Sequence, residues 1–245
     1  MAIKHLFFDC DNTLVESEDV AFGACAGLVN EIMEKYGLDQ RYTPESLIAN
    51  FLGQNFRGIM AAVQTQFDFR LGEEEMEGYI REEAERVIAQ LQAKVQPCDG
   101  SIQVLQELSQ NQNYTMSVVS SSALRRVLVA IATTGQDKFF HPDEIYSAAT
   151  SLAKPSSKPD PAIYLHVLAK HSAKPEECVA VEDSISGALS AIGAKVAVIG
   201  YVGAYHTAAK RDEIAMRLTE VGCKHIMYNW ADFEKCLEIV EHGQH

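Results

Sequence analysis

The sequence runs to 245 residues and carries 34 acidic side chains against 21 basic ones, a formal net charge of −13. That balance excludes an electrostatic nucleic-acid binder, which needs a basic face, and the length suits one large α/β domain or a core domain with a smaller companion. No apolar run approaches the ~20 residues that span a bilayer, and the N-terminus reads as a strand rather than a signal peptide.

The chain opens on a strand. Leu6, Phe7 and Phe8 form a continuous apolar run, as expected for a strand buried on both faces of a parallel sheet. Asp9 and Asp11 follow directly, then Asn12 and Thr13. Open α/β sheets bind ligands beyond the carboxyl ends of their strands. Two carboxylates so close repel unless a cation lies between them or one holds a proton. For a lone Asp-x-Asp, a turn that merely happens to be acidic is the competing reading.

From Leu14 to about Val95 the pattern is helical. Val20, Cys25, Leu28, Val29, Ile32, Met33 and Tyr36 recur at threes and fours, and Gly37 is the stop. Thr43-Pro44-Glu45 opens another helix, with a capping residue ahead of a proline at the first helical position. The stretch 73–94 predicts an amphipathic helix burying Met76, Ile80, Val87, Ile88 and Leu91. No strand signal interrupts this block, so residues 16–95 read as an all-helical domain inserted after the first strand.

Pro97-Cys98-Asp99-Gly100 is a turn-rich junction. Beyond it the spacing predicts helix 101–110, strand 114–119, helix 123–134, strand 145–147, helix 160–170 and strand 178–181. Helix 184–192 closes at Gly193; strand 196–199, helix 207–221, strand 225–228 and a helix from Asp232 complete the chain, with 242–245 frayed. Strands alternating with helices predict an α/β doubly wound parallel sheet over residues 1–15 and 96–245. The six cysteines, Cys10, Cys25, Cys98, Cys178, Cys223 and Cys236, form no C-x-x-C pair and no metal spacing. They read as reduced thiols of a cytoplasmic protein.

Asp9-Cys10-Asp11-Asn12-Thr13, Val118-Val119-Ser120-Ser121, Lys158-Pro159-Asp160-Pro161 and Val181-Glu182-Asp183-Ser184 occur in that order. Together they resemble the four motifs of the haloacid dehalogenase-like (HAD) phosphatases, over residues 3 to about 200. Asn12 departs from the family's usual Gly, but Asn is the residue after Gly that best tolerates a left-handed backbone. The helical insertion resembles the cap domain of the phosphoglycolate phosphatase and β-phosphoglucomutase branch.

The resemblance implies a Rossmann-like core and a phosphomonoesterase acting on a small phosphorylated metabolite, a sugar or sugar-acid phosphate, as a monomer or weak homo-oligomer. Asp9 would be the nucleophile that forms an aspartyl-phosphate. Asp11 would protonate the leaving oxygen and then take a proton from water, and its backbone carbonyl would also face the metal. Ser120 would hydrogen-bond a phosphoryl oxygen with help from the amide of Ser121, although a hydroxyl at a strand end can equally be a helix cap. Lys158 would neutralise the nucleophile and the phosphoryl group; Lys154, also followed by Pro, is its rival. Asp183, with Asp9 and with Glu182 either as a ligand or behind the ligands, would complete an all-oxygen Mg²⁺ site, or the Asp183-Ser184 pair could cap the following helix. Between the cap helices, Gly53-Gln54-Asn55-Phe56-Arg57 resembles a specificity loop. Arg57 would grip a second polar or anionic group, with Gln54 and Asn55 reading hydroxyls; a surface loop with a solvated Arg is the alternative. His206 reads as loop packing rather than a ligand.

A dehalogenase would not need the acid Asp11, and a phosphonatase would need a Schiff-base lysine in the cap, where Lys35 lies in a helix outside any motif. A phosphosugar mutase shares every core motif and remains the enzymatic rival. A phospho-signalling receiver is about half this length, lacks the insertion and carries its phosphoacceptor on a later strand.

Overall fold

The computed structural model describes residues 2–51 and 54–243. Among the described residues six strands form one wholly parallel sheet: β1 (His5–Phe8), β2 (Thr115–Ser120), β3 (Ile145–Ser147), β4 (Cys178–Glu182), β5 (Ala197–Tyr201) and β6 (His225–Met227). Their order in space is β3-β2-β1-β4-β5-β6. The chain therefore winds outward from β1 through β2 to β3, then returns to the other side of β1 and winds outward again. Sheets of this kind bind ligands where the winding reverses, at the carboxyl ends of the strands.

β1 is central because it is apolar on both faces. Its alternating side chains point to opposite sides. Phe7 joins a core with Tyr164, Val119 and Val198. Phe8 meets Trp230, Phe233 and Phe140 at ring separations of 5.9, 6.1 and 6.2 Å. Helices α7 (Ala162–His171), α8 (Ile185–Gly193) and α9 (Ala208–Glu220) supply buried residues to the first of these layers. Helix α10 (Phe233–His242) closes against the second. Helices α5 (Ser101–Asn111) and α6 (Leu124–Thr133) precede and follow β2.

The chain divides into two compact units, Met1–Glu16 with Gln96–His245, and Ser17–Val95. Among its described residues the second holds helices and no strand: α1 (Glu18–Lys35), α2 (Pro44–Phe51), α3 (Phe56–Phe67) and α4 (Glu73–Lys94). It has its own core, in which Leu28, Val29, Ile32, Leu47, Met60 and Val63 are buried; Ile80 is only partly so. Thr43 Oγ1 accepts from the Ser46 amide at 3.2 Å, ahead of Pro44 at the start of α2. Gly37 has φ +73°, the left-handed conformation that ends α1.

Two boundaries differ from the sequence expectation for packing reasons. Helix α8 does not close at Gly193; that glycine is its last helical residue, and the left-handed turn falls at Lys195, with φ 64°. A Cβ on Gly193 would meet the Pro161 ring at 3.3 Å, so the glycine serves a close approach between segments rather than a stop. Strand β5 runs on through Gly200, where a Cβ would lie 2.9 Å from Ile226, so this glycine lets the neighbouring chain approach without ending the strand. All six cysteines are buried and free.

Candidate active site

The site is built at the carboxyl ends of β1, β2 and β4. Asp9 extends the β1–β4 pairing by one step, its amide donating to Val181 O at 3.0 Å. The chain then turns sharply, with the Leu14 and Val15 amides returning to Cys10 O at 3.0 and 3.1 Å. Asn12 takes φ 55° within that turn, so asparagine accommodates the left-handed conformation. Trp230 Nε1 donates to Thr13 O at 3.1 Å, anchoring the turn to the core.

Lys158 reaches this point from the segment before α7 and is buried, whereas Lys154 is exposed. Its Nζ donates to Asp9 Oδ1 at 2.6 Å, Glu182 Oε1 at 2.6 Å and Val119 O at 2.7 Å. All three ammonium protons are thus engaged by the ends of three adjacent strands. Its backbone amide donates to Ser121 Oγ at 3.0 Å, so Ser121 places Lys158 through its hydroxyl.

Glu182 ends β4 fully buried. Its Oε1 accepts from Lys158 and from the Tyr164 hydroxyl, while Oε2 has no hydrogen-bond partner among the described residues. Asp183 is buried beside it, its Oδ2 accepting from the Tyr205 hydroxyl at 3.1 Å. Ser184 caps α8, accepting from the Gly187 amide at 3.1 Å. Capping thus falls to the serine, and the Asp183 carboxylate remains on the strand-end side.

Burial pushes the Asp9 carboxyl above its ordinary value, with Lys158 opposing and Asp11 adding to the rise. Burial likewise pushes Glu182 up to about 7, again against Lys158 and reinforced by Asp9. For Lys158 burial disfavours the charge, but Asp9 and Glu182 outweigh it and hold the ammonium above the usual lysine range. The lysine is therefore charged, and its carboxylate neighbours are crowded.

Asp9, Glu182 and Asp183 each offer an oxygen within 4.8 Å of the others. Three carboxyl groups share one ammonium in a buried pocket, which is why Asp9 and Glu182 resist ionisation, and among the described residues Glu182 Oε2 has no hydrogen-bond partner. A hard divalent cation such as Mg²⁺ or Mn²⁺ fits that donor set. Asp11 is not part of the cluster. Its Oδ2 accepts from Ser122 Oγ at 2.6 Å and its Oδ1 from Arg126 Nη2 at 2.8 Å. Ser120 Oγ accepts from the Ser122 amide at 3.0 Å, which leaves its own hydroxyl proton for another acceptor.

Of the residues expected to act on the rest of the substrate, Gly53 lies outside the described residues. The segment after it is less of a loop than its sequence implies, because α3 begins at Phe56. Asn55 is the N-cap, its Oδ1 accepting from the Gly58 amide at 2.9 Å, and Arg57 sits in the first turn. Arg57 Nη1 donates to Glu73 Oε1 at 3.0 Å and Nη2 to Glu77. It is thus an ion-paired helical residue rather than a solvated loop arginine. Gln54 is exposed. Lys35 is held by Glu75 and Tyr79.

Sequence reasoning passed over Ser122, Arg126, Tyr164 and Tyr205. Tyr164 sits in an apolar helical pattern and gives no sign that its hydroxyl reaches Glu182. Tyr205 stands beside the more conspicuous His206, yet His206 is exposed and Tyr205 touches Asp183. Arg126 had a faint signal, one of two arginines in the first turn of an otherwise apolar helix.

Comparison with known proteins agrees with this geometry. The family model described as haloacid dehalogenase-like hydrolase matches residues 6–201. A 6-phosphogluconate phosphatase of Escherichia coli K12 is 26% identical over 204 residues, covering 83% of this chain and 85% of the relative. A phosphorylated carbohydrates phosphatase of Thermotoga maritima is 26% identical over 194 residues, covering 79% and 82%. The crystal structure of a conserved haloacid dehalogenase-like protein from Agrobacterium tumefaciens C58 superposes with a TM-score of 0.75 at 26% identity, covering 97% of this chain and 98% of the other.

Proposed function

The chain belongs to the haloacid dehalogenase-like hydrolase family, and from that premise we propose that it is a Mg²⁺-dependent phosphomonoesterase acting on a sugar or sugar-acid phosphate. The observation that carries the reading is the buried Lys158, shared between Asp9 and Glu182 at 2.6 Å each. It holds the carboxylate at the end of β1 in place and supplies positive charge where a phosphoryl group would arrive. The names of the two similar phosphatases support a phosphorylated carbohydrate as the substrate class.

Asp9 is the nucleophile in this reading. A carboxylate oxygen of Asp9 bonds to phosphorus as the bond from phosphorus to the leaving oxygen breaks, and Asp11 gives that oxygen a proton. In the second displacement a water oxygen bonds to phosphorus, the Asp9–phosphorus bond breaks, and the water's proton passes to Asp11. Inorganic phosphate leaves and both aspartates are restored. Ser120 and the Ser121 amide hold phosphoryl oxygens. Asp9, Asp183 and Glu182 would hold the divalent ion, with the Asp11 backbone carbonyl beside them; the ion would supply charge neutralisation for the transferring group. In this reading selection of the leaving alcohol falls to Arg57, Gln54 and the Asn55 amide group, all carried by the Ser17–Val95 unit.

The test is release of inorganic phosphate from a panel of sugar and sugar-acid phosphates, with and without Mg²⁺. Metal-dependent release by the native chain and near-background release by a folded Asp9→Asn variant are expected. A rearranged sugar phosphate in place of inorganic phosphate would instead identify a mutase. Full activity in Asp9→Asn would overturn the mechanism.

A further inference from the structure

Asp11 is held on both edges of its carboxyl group, and the two holders differ in chemical kind. Arg126 Nη2 donates to Oδ1 at 2.8 Å and Ser122 Oγ to Oδ2 at 2.6 Å. The Arg126 and Asp11 side chains are only 27% and 28% exposed, so the pair is substantially removed from water and ordered on both sides. Ser122 is itself fixed: its amide donates to Ser120 Oγ at 3.0 Å and its carbonyl accepts from Ser147 Oγ at 2.7 Å. Arg126 stands in the first turn of α6, its amide bonded to Ala123 O at 2.9 Å.

We propose that Arg126, together with Ser122, is a positioning residue that decides which oxygen of Asp11 exchanges the proton with the leaving group. A guanidinium is a donor only, so Oδ1 must stay an acceptor throughout the cycle. A serine hydroxyl can donate or accept, so Oδ2 keeps its partner whether or not it carries a proton. Oδ2 is therefore the oxygen that gives its proton to the leaving oxygen as the phosphorus–oxygen bond breaks, and regains one from water in the second displacement. Arg126 neither gives nor takes a proton; it holds the carboxyl plane. The inference rests on Asp11 being the acid and base, as read above.

A positioned acid matters in proportion to how badly the leaving group needs a proton. A sugar alkoxide needs one, whereas p-nitrophenolate leaves without it. The second displacement, with Asp11 as base, is common to all esters and contributes to kcat, whereas kcat/KM reports the first displacement alone. In Arg126→Ala, kcat/KM on an alkyl ester should fall about 10- to 100-fold, the cost of a displaced catalytic group. The probe is 6-phosphogluconate or the fastest sugar phosphate of the release panel. On p-nitrophenyl phosphate the fall in kcat/KM should be about threefold or less, because p-nitrophenolate needs no proton in the first displacement. Arg126→Lys should recover part of the loss, and Ser122→Ala should shift the ratio of the two substrates in the same direction. Equal losses of kcat/KM on both esters in Arg126→Ala and Ser122→Ala would overturn the proposal, since a merely structural role does not discriminate leaving groups. So would a native-like ratio in Arg126→Lys and Ser122→Ala should Arg126→Ala fail to fold. Asp11→Asn separates the two levels. If it is leaving-group selective and the Arg126 variants are not, Arg126 has no positioning role while the Asp11 reading stands. If Asp11→Asn lowers kcat/KM equally on both esters, the reading of Asp11 as the acid fails.

Discussion

A Cβ placed on Gly187 would lie 1.8 Å from Glu182 Oε2. The first turn of α8 therefore passes the end of β4 at a distance that admits hydrogen and nothing larger. Because Ser184 caps that helix onto the Gly187 amide, the cap, the glycine and the buried carboxylate are parts of one arrangement. Glu182 in turn fixes Lys158, and Lys158 fixes Asp9.

Gly187→Ala should push Glu182 away from Lys158. In an ordinary helix the change would stabilise by about 0.5–1 kcal/mol, but here overpacking should reverse the sign and cost about 1–3 kcal/mol. Urea denaturation should show the loss, with turnover falling alongside it. A stabilised and fully active variant would mean that Glu182 is free to move without consequence.

Chelation should abolish turnover, and added Mg²⁺ should restore it. Mg²⁺ should also raise the unfolding temperature of the resting protein, because an ion held by Asp9, Glu182 and Asp183 binds only the folded chain. Asp183→Ala should raise the Mg²⁺ concentration needed for both effects. Undiminished activity in excess EDTA would remove the metal from the mechanism.

Arg57 is paired with Glu73 and Glu77 at exposed positions, where such pairs are worth about 0–1 kcal/mol. Arg57→Ala should therefore leave stability nearly unchanged. If Arg57 grips the substrate, kcat/KM on the preferred sugar phosphate should drop about 10- to 100-fold, or ~1.5–3 kcal/mol. Turnover of p-nitrophenyl phosphate should change far less. Equal losses on the two esters would assign Arg57 to the integrity of its helices instead.

At the start of β1, His5 is pushed below its ordinary value of 6.5 by burial and by His171, with Glu177 and Glu144 opposing and Lys4 adding to the depression. Its Nδ1 is buried without a hydrogen-bond partner among the described residues. The unfolded chain then binds a proton that the folded chain resists, so this contribution to stability is full above about pH 6.5 and is lost as the pH falls through it. The raised Glu182 and Asp9 carboxyls work in the opposite sense over the same range, so the His5 effect is read as a difference: from about pH 8 down to pH 5 the denaturation midpoint of the native chain should fall relative to that of His5→Gln. An unchanged slope in His5→Gln would place the acid sensitivity elsewhere.

Much of this protein is legible in local pattern. An apolar run ending in Asp9-Cys10-Asp11, a lysine-proline before a helix, and Glu182-Asp183 closing a hydrophobic strand are each written within a few consecutive residues. Strand and helix period follow from backbone geometry, so the alternation, the parallel sheet and the four motif positions could be read in order along the chain. The tertiary structure decided what meets what. Lys158 and Lys154 look alike in sequence, and only burial against Val119, Asp9 and Glu182 separates them. Tyr164, Tyr205, Ser122 and Arg126 carry no motif, because a hydroxyl or guanidinium acquires its role from the carboxylate across the fold. Gly187 and Gly193 sit inside α8, where their value lies in the Glu182 and Pro161 atoms that a Cβ would strike. Contacts between residues tens of positions apart depend on the sum of many packing terms, and no short stretch of sequence holds that sum.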